Sequence, residues 1–360
     1  LFTRDVTGVG LRELVETDAQ ETLRFFAREV HTEDLDQRPW FQRWPIAAFR
    51  LFEATAYRLS PARRILFAAA VPLLFAAWLE YFIHGVARGW SYAPGSLLML
   101  GCSSLLFLLL VLELRDKLTL KGDLEVARQI QFGLLPFEPF SQGRLSARAS
   151  MRPANTVGGD YFDIIDLGDD HTAIVVGDVA GKGMPAALLM ALLQGSLRTL
   201  VTAGLRGVPL ITRLNEHLFA NIPANRLITL FYAEVSTRGG PLRYVNAGHN
   251  PPILLRTDGA CETLGATGIA LGILGEAGYE MLEVPFGPGD RLVLYTDGIT
   301  EASNPADEEF GEERLMAAVV TRRAAATEAF VSGILADVHG FCAGVRPRDD
   351  QTLLVLDSGA

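Results

Sequence analysis

Two apolar runs set the first limit on how this chain can fold. Residues 65–83 read ILFAAAVPLLFAAWLEYFI, and residues 95–114 read GSLLMLGCSSLLFLLLVLEL. Roughly 20 apolar residues at ~1.5 Å rise cover the ~30 Å hydrocarbon core of a bilayer. The second run meets no charge until Glu113. The first carries Pro72 and Glu80, and Glu80 would sit near an interface, where a charge costs less than at the centre. Arg58, Arg63 and Arg64 precede the first run, and Arg115, Lys117 and Lys121 follow the second. The connection HGVARGWSYAP has only Arg88, with Trp90 and Tyr92 as interfacial aromatics. The excess of basic residues on the two outer flanks places both ends in the cytoplasm. The expectation is a two-helix transmembrane hairpin over 61–116; a buried helical hairpin of a soluble domain is the alternative.

Composition narrows the remainder. Hydrophobic residues make up 49% of the 360, which excludes a disordered chain. A net charge of −10 argues against general nucleic-acid affinity. Cys102, Cys261 and Cys342 are far apart and form no CxxC pair, so neither a disulfide framework nor a zinc site is expected. Residues 1–35 are polar and charged, unlike a signal peptide, and the chain opens on Leu1, which leaves the native start open. Residues 1–60 read as a mostly helical cytoplasmic segment. Both an amphipathic helix at the membrane face and a small packing module fit it.

Residues 117–140 read as a helical linker. Leu120, Leu124, Ala127, Ile130 and Gln131 recur near helical spacing, and Pro136 should end the helix by Leu135. The segment suits a signalling stalk, paired in a homodimer through Leu120, Leu124, Ala127 and Ile130, or a simple tether.

From 141 to 360 the texture changes. RLSARASM, YFDIIDL, HTAIVVGDV, LITLFYAEV, LRYVNAG, PPILLR, DRLVLYTDG and QTLLVLD are short β-rich runs bounded by Gly, Asp, Asn and Pro. Two longer helical stretches, MPAALLMALLQGSLRTLVTAG and EAFVSGILADVHGFC, interrupt them. Several runs are apolar on both faces, which predicts sheets covered by helices.

Four aspartates share a placement in this region. Asp160 follows two glycines before YFDII, Asp178 ends AIVVGD, Asp297 ends LVLYTD, and Asp349 precedes QTLLVL beside Asp350. Each alone suits ordinary turn chemistry. Brought together, such carboxylates repel unless they are protonated or bridged by cations, and an all-oxygen site would take Mg²⁺ or Mn²⁺.

RPANTVGGDYFDII, VGDVAGKGMPAALLMALL, YVNAGHNPPILL, LVLYTDGITEA and DDQTLLVL occur in that order. Together with LEVARQIQFGLLP they resemble the SpoIIE/RsbU-type branch of the bacterial metal-dependent protein phosphatases, the PPM family with the type 2C fold. The resemblance spans residues 120–356. It implies an α/β (α+β) sandwich of two central antiparallel sheets flanked by helices. It further implies two Mn²⁺ or Mg²⁺ ions. Asp178 resembles the bridging ligand, with the Val179 carbonyl beside it; Asp160 resembles a ligand of one metal, and Asp297 and Asp349 ligands of the other. The activity implied is hydrolysis of phosphoserine or phosphothreonine by activated water. The substrate implied is a phosphorylated protein such as an anti-sigma-factor antagonist, met at the cytoplasmic side of the bacterial inner membrane.

GGDYF also invites comparison with the GGDEF motif of diguanylate cyclases, but Tyr161 stands where that motif needs a carboxylate. GDVAGKGM lacks P-loop spacing, and neither HExxH nor GxSxG occurs. Asp163 and Asp350 are candidates for groups behind the metal ligands, with a turn or strand-edge role preferred for Asp163. Lys182 reads as solvated rather than phosphate-binding, His249 as a turn histidine rather than an acid, and Arg152 stays unassigned. Residues 304–314 read as a flap or helix start. Two other classes compete with the phosphatase: a non-catalytic metal-dependent partner-binding domain and a cyclic-dinucleotide enzyme.

Overall fold

The computed structural model describes residues 94–359 together with residues 75, 78, 79, 82 and 83. Residues 1–60 and most of the first apolar run lie outside the described residues. The second apolar run is helical. It forms part of α1 (Pro94–Leu134), which stops just before Pro136 as the sequence predicts. Among the described residues, the helix that passes a length-and-hydropathy test for a membrane span is Met184–Thr202. Seven of its residues are buried, so it is a core helix, and apolar length alone is no proof of a span.

The chain divides into two compact units, residues 1–123 and 124–360. The second begins with the last turns of α1. Eleven strands follow: β1 (Phe140–Gln142), β2 (Leu145–Arg152), β3 (Tyr161–Gly168), β4 (His171–Val179), β5 (Ile228–Ser236), β6 (Leu242–Ala247), β7 (Ile253–Leu255), β8 (Cys261–Thr263), β9 (Leu282–Val284), β10 (Arg291–Tyr295) and β11 (Gln351–Ser358). The helices are α2 (Met184–Thr202), α3 (Gly207–Asn221), the single turn α4 (Asp297–Thr300), α5 (Gly311–Thr321) and α6 (Thr327–Cys342). One sheet has the order β1-β2-β11-β10-β7-β8, the other β3-β4-β5-β6-β9. All strand pairs are antiparallel.

Alternation along the strands builds the layers. On the six-stranded sheet, Leu254, Leu292, Leu294, Leu354 and Leu356 face the five-stranded sheet and share its core. Ile253, Leu255, Val293, Leu353 and Val355 point the other way, under Leu315, Val319, Phe330, Ile334 and Val338 of α5 and α6. Met190, Leu193 and Leu197 of α2 and Leu210, Ile211 and Leu214 of α3 cover the far face of the five-stranded sheet. The result is two antiparallel sheets flanked by helices, in agreement with the expectation. The strand runs fall where the sequence puts them. α3 was not foreseen; its apolar stripe at 210, 211, 214 and 218 is interrupted by Arg213, Asn215, Glu216 and His217.

Asp163 is fully buried on β3, the edge strand of the five-stranded sheet, so the strand-edge placement holds and the turn role does not. Its oxygens accept from Arg198 Nε and Nη2 on α2 at 2.7 Å each, from the Tyr161 hydroxyl at 2.7 Å and from the Ile164 amide at 2.9 Å. It therefore ties helix to sheet. Arg198 is about half exposed and can turn to water, so the cost of losing Asp163 falls mainly on the buried Tyr161 hydroxyl left without its acceptor, about 1–3 kcal/mol. Asp163→Ala should lower unfolding stability by about that amount in a urea titration; an unchanged midpoint would show that the pair is dispensable.

Candidate metal centre

The four predicted aspartates reach one place from two sheets. Asp160 immediately precedes β3 and Asp178 is the penultimate residue of β4, both in the five-stranded sheet. Asp297 opens α4 directly after β10, and Asp349 stands two residues before β11, both from the six-stranded sheet. Asp178 feels the charges of Asp297, Asp349 and Asp350, and Asp160 feels those of Asp178 and Asp350. Strands adjacent in each sheet thus deliver their acidic ends to a common region.

Neutral donors hold the acidic groups. Asp160 is buried, and its Oδ2 accepts from Thr296 Oγ1 at 2.8 Å and from Thr352 Oγ1 at 2.5 Å. Asp350 is buried, and accepts from the Ala154 amide at 2.8 Å and the Gly159 amide at 2.6 Å. Asp349 Oδ1 accepts from the Asp350 amide at 2.9 Å. The glycines permit this closeness: a Cβ on Gly158 would lie 2.3 Å from Asp350 Oδ2, and one on Gly298 would lie 2.1 Å from the Asp350 carbonyl oxygen. The Val179 carbonyl backs onto the same loop, 2.8 Å from where a Gly159 Cβ would stand.

The electrostatics follow. Burial, then the charges of Asp178 and Asp350, hold the Asp160 carboxyl well above the usual range, against the two threonine hydrogen bonds. Burial and the Asp297, Asp349 and Asp350 charges raise Asp178 to about 7. Burial, Glu301 and Asp349 raise Asp297 to about 6. Asp350 is raised by burial, against its backbone hydrogen bonds.

Lys182 is exposed, as the sequence reading has it, and is also paired. Its Nζ lies 2.7 Å from Asp349 Oδ2 and also donates to the Arg348 carbonyl. His249 is buried, with Nδ1 2.9 Å from Thr229 Oγ1, and its amide donates to Asn246 Oδ1 at 2.8 Å. Burial lowers its pKa to about 4, so it stays neutral, as a turn histidine should. Arg152 lies 3.0 Å from His339 Nε2. Residues 304–309 form a turn held by Asn304, and α5 begins at Gly311, the helix start that was expected.

The donor set fits divalent cations in its chemistry: carboxylates that mutually raise their proton affinity are relieved by a cation as well as by protons. Among the described residues, no three acidic, histidine or cysteine side chains already form a closed ligand cluster. The fit therefore rests on charge and placement. Sequence reading missed Thr296 and Thr352. Both sit inside the motifs that supply Asp297 and Asp349, and that proximity was the available signal.

The family model for stage II sporulation protein E (SpoIIE) matches residues 168–358. The chain belongs to the SpoIIE family. It is 32% identical over 275 residues to Protein IcfG of Synechocystis sp., covering 69% of this chain and 43% of that protein. It is 31% identical over 183 residues to Phosphoserine phosphatase RsbU of Bacillus subtilis, covering 51% of this chain and 54% of that protein. The chain thus spans about half the length of the curated relatives it matches. The SiaA-PP2C domain of Pseudomonas aeruginosa superposes with a TM-score of 0.60 at 20% identity, over 67% of this chain and 98% of that one. The fold is that of the type 2C phosphatases.

The raised carboxyls carry a pH signature. An aspartate whose folded pKa exceeds its ordinary 3.8 contributes stability that is complete below about pH 4 and is lost as pH climbs through the folded value, about 6 for Asp297 and about 7 for Asp178. In chelator, the SpoIIE-family domain should melt higher at about pH 5 than at about pH 8, and Asp178→Asn should narrow that gap. A melting temperature that rises over this window would contradict the mutual repulsion.

Proposed function

We propose that this SpoIIE-family chain is a metal-dependent phosphoserine/phosphothreonine protein phosphatase. The observation that carries the reading is the meeting of acidic strand ends from both sheets, with Asp178 feeling Asp297, Asp349 and Asp350 together. Asp160, Asp178, the Val179 carbonyl, Asp297 and Asp349 would hold two Mn²⁺ or Mg²⁺ ions. When bound, such ions lower the pKa of water toward neutrality and screen the phosphoryl oxygens. The chain itself would supply position and charge. Thr296 and Thr352 fix Asp160, and the Ala154 and Gly159 amides fix Asp350 behind it. Lys182, 2.7 Å from Asp349, would exchange its hold on that carboxylate for the anionic substrate. Burial pushes the Cys261 and Cys342 thiols up, which suits a mechanism with no cysteine nucleophile.

The substrate proposed is a phosphorylated signalling protein of the anti-sigma-factor antagonist class. The name of the relative RsbU, a phosphoserine phosphatase, supports a phosphoserine substrate, and the antagonist class is what the family resemblance implies. The cyclase reading is weakened further, because Tyr161 is buried and its hydroxyl is spent on Asp163. The competing non-catalytic reading is separated by assay. Phosphate should be released from a phosphoserine peptide with Mn²⁺ and not with chelator. Asp178→Asn should lose more than the ~100-fold typical of a group behind the ligands, while remaining folded. Turnover at the wild-type rate in that variant would remove Asp178 from the centre, and Mn²⁺ binding without any turnover would favour the partner-binding domain.

Residues 65–83 and 95–114 are proposed as an inner-membrane hairpin with the phosphatase domain in the cytoplasm, and the 117–134 helix as a dimeric stalk. Its support is the apolar length and the basic flanks. In intact cells, an impermeant thiol reagent should label a cysteine placed at Trp90 and spare one at Lys121, and the Lys121 cysteine should cross-link to a second copy. Labelling at Lys121 would invert the topology, and absence of cross-linking would leave the stalk a tether.

A further inference from the structure

Gln131 lies on α1, near its C-terminal end, with no acidic or basic neighbour needed to explain its burial; it is 4% exposed. Its carboxamide meets the backbone of Gly158 on both sides. Nε2 donates to the Gly158 carbonyl at 2.6 Å, and Oε1 accepts from the Gly158 amide at 3.1 Å. The next residue, Gly159, donates its amide to Asp350 Oδ2 at 2.6 Å, and Asp160 follows it. Gly158 itself presses against the Asp350 carboxylate, where a Cβ would lie 2.3 Å from Oδ2. One helix side chain therefore clamps the peptide from which the acidic loop hangs.

The same helix end has a second, separate tie. Gln194 Nε2 on α2 donates to the Leu134 carbonyl at 2.6 Å, which satisfies one of the carbonyls left open where a helix stops. That bond docks the helix without touching the loop of Asp160. The two glutamines thus allow helix docking and loop placement to be told apart.

We infer that Gln131 is a positioning residue for the metal centre: it sets the Gly158–Gly159 backbone, and through it the placement of Asp160 and Asp350. A carboxamide is suited to this task because it offers one donor and one acceptor in a plane, the complement of a single residue's N–H and C=O. A leucine or methionine fills similar volume and offers neither. A glutamate could still accept from the Gly158 amide but would face the Gly158 carbonyl with a second acceptor.

The inference rests on the phosphatase reading, and its test is read first by binding. Mn²⁺ is titrated calorimetrically into the full chain, with phosphate release from a phosphoserine peptide as the second measurement. Gln131→Leu should weaken Mn²⁺ binding on the order of tenfold, the loss expected when a group behind the ligands is removed. Gln194→Leu should bind Mn²⁺ within about twofold of wild type, although it loosens the same helix end. Wild-type Mn²⁺ affinity in Gln131→Leu overturns the inference, and so does an equal loss in both variants, which would reduce the effect to helix docking. If Gln131→Leu does not fold, Gln131→Glu decides by the same criteria. A wild-type chain that binds no Mn²⁺ overturns the metal-centre reading and the inference with it. Wild-type binding with an unaffected Gln131 variant overturns the inference alone.

Discussion

Like charges held close in a partly dry environment must be held by something else. Burial and neighbouring carboxylates raise the proton affinity of Asp160, Asp178, Asp297 and Asp350, so their closeness costs free energy that the fold has to supply. It does so with neutral donors on rigid elements. Thr296 directly follows β10 and Thr352 lies in β11, and both hydroxyls converge on one oxygen of Asp160, which stands at the start of β3 in the other sheet. Backbone amides hold Asp350, and the lone ammonium of Lys182 sits on Asp349. The glycines follow from this crowding, since side chains at 158 or 298 would occupy the space of Asp350.

The inter-sheet core makes such convergence possible. Leucines on one face of the six-stranded sheet pack into the five-stranded sheet, which fixes the spacing between the two sets of strand ends. The opposite face of each sheet is sealed by a helix pair. The paired strands β3–β4 and β10–β11 then present their acidic ends without any long loop having to fold over.

Much of this was legible in the sequence. The strand runs were visible because they are apolar on both faces and bounded by turn residues, and the four aspartates because each closes or precedes such a run. The SpoIIE-type motifs supplied the sheet arrangement, which patterning alone could not. What stayed hidden depends on partners far apart in the chain. Asp163 lies two residues from Tyr161 and 35 from Arg198, and only the packing of α2 on β3 makes that pair. Gln131 read as one more position on a helical face until Gly158, 27 residues away, came to rest against it. α3 escaped because polar residues interrupt its stripe, and only tertiary burial shows that the stripe matters.

The split origin of the acidic groups makes the site a hinge clasp in thermodynamic terms. Asp160 and Asp178 ride on one sheet and Asp297, Asp349 and Asp350 on the other, so any cation shared among them binds only while the sheets stay registered. Its binding free energy is then added to the cohesion of the sandwich, growing with the logarithm of ion concentration. The relation is reciprocal. A cavity cut among Leu254, Leu292 and Leu354, which touch no substrate, would surface as a change in ion affinity, and free divalent concentration would act as a dial on how tightly the two halves of the core are pressed together.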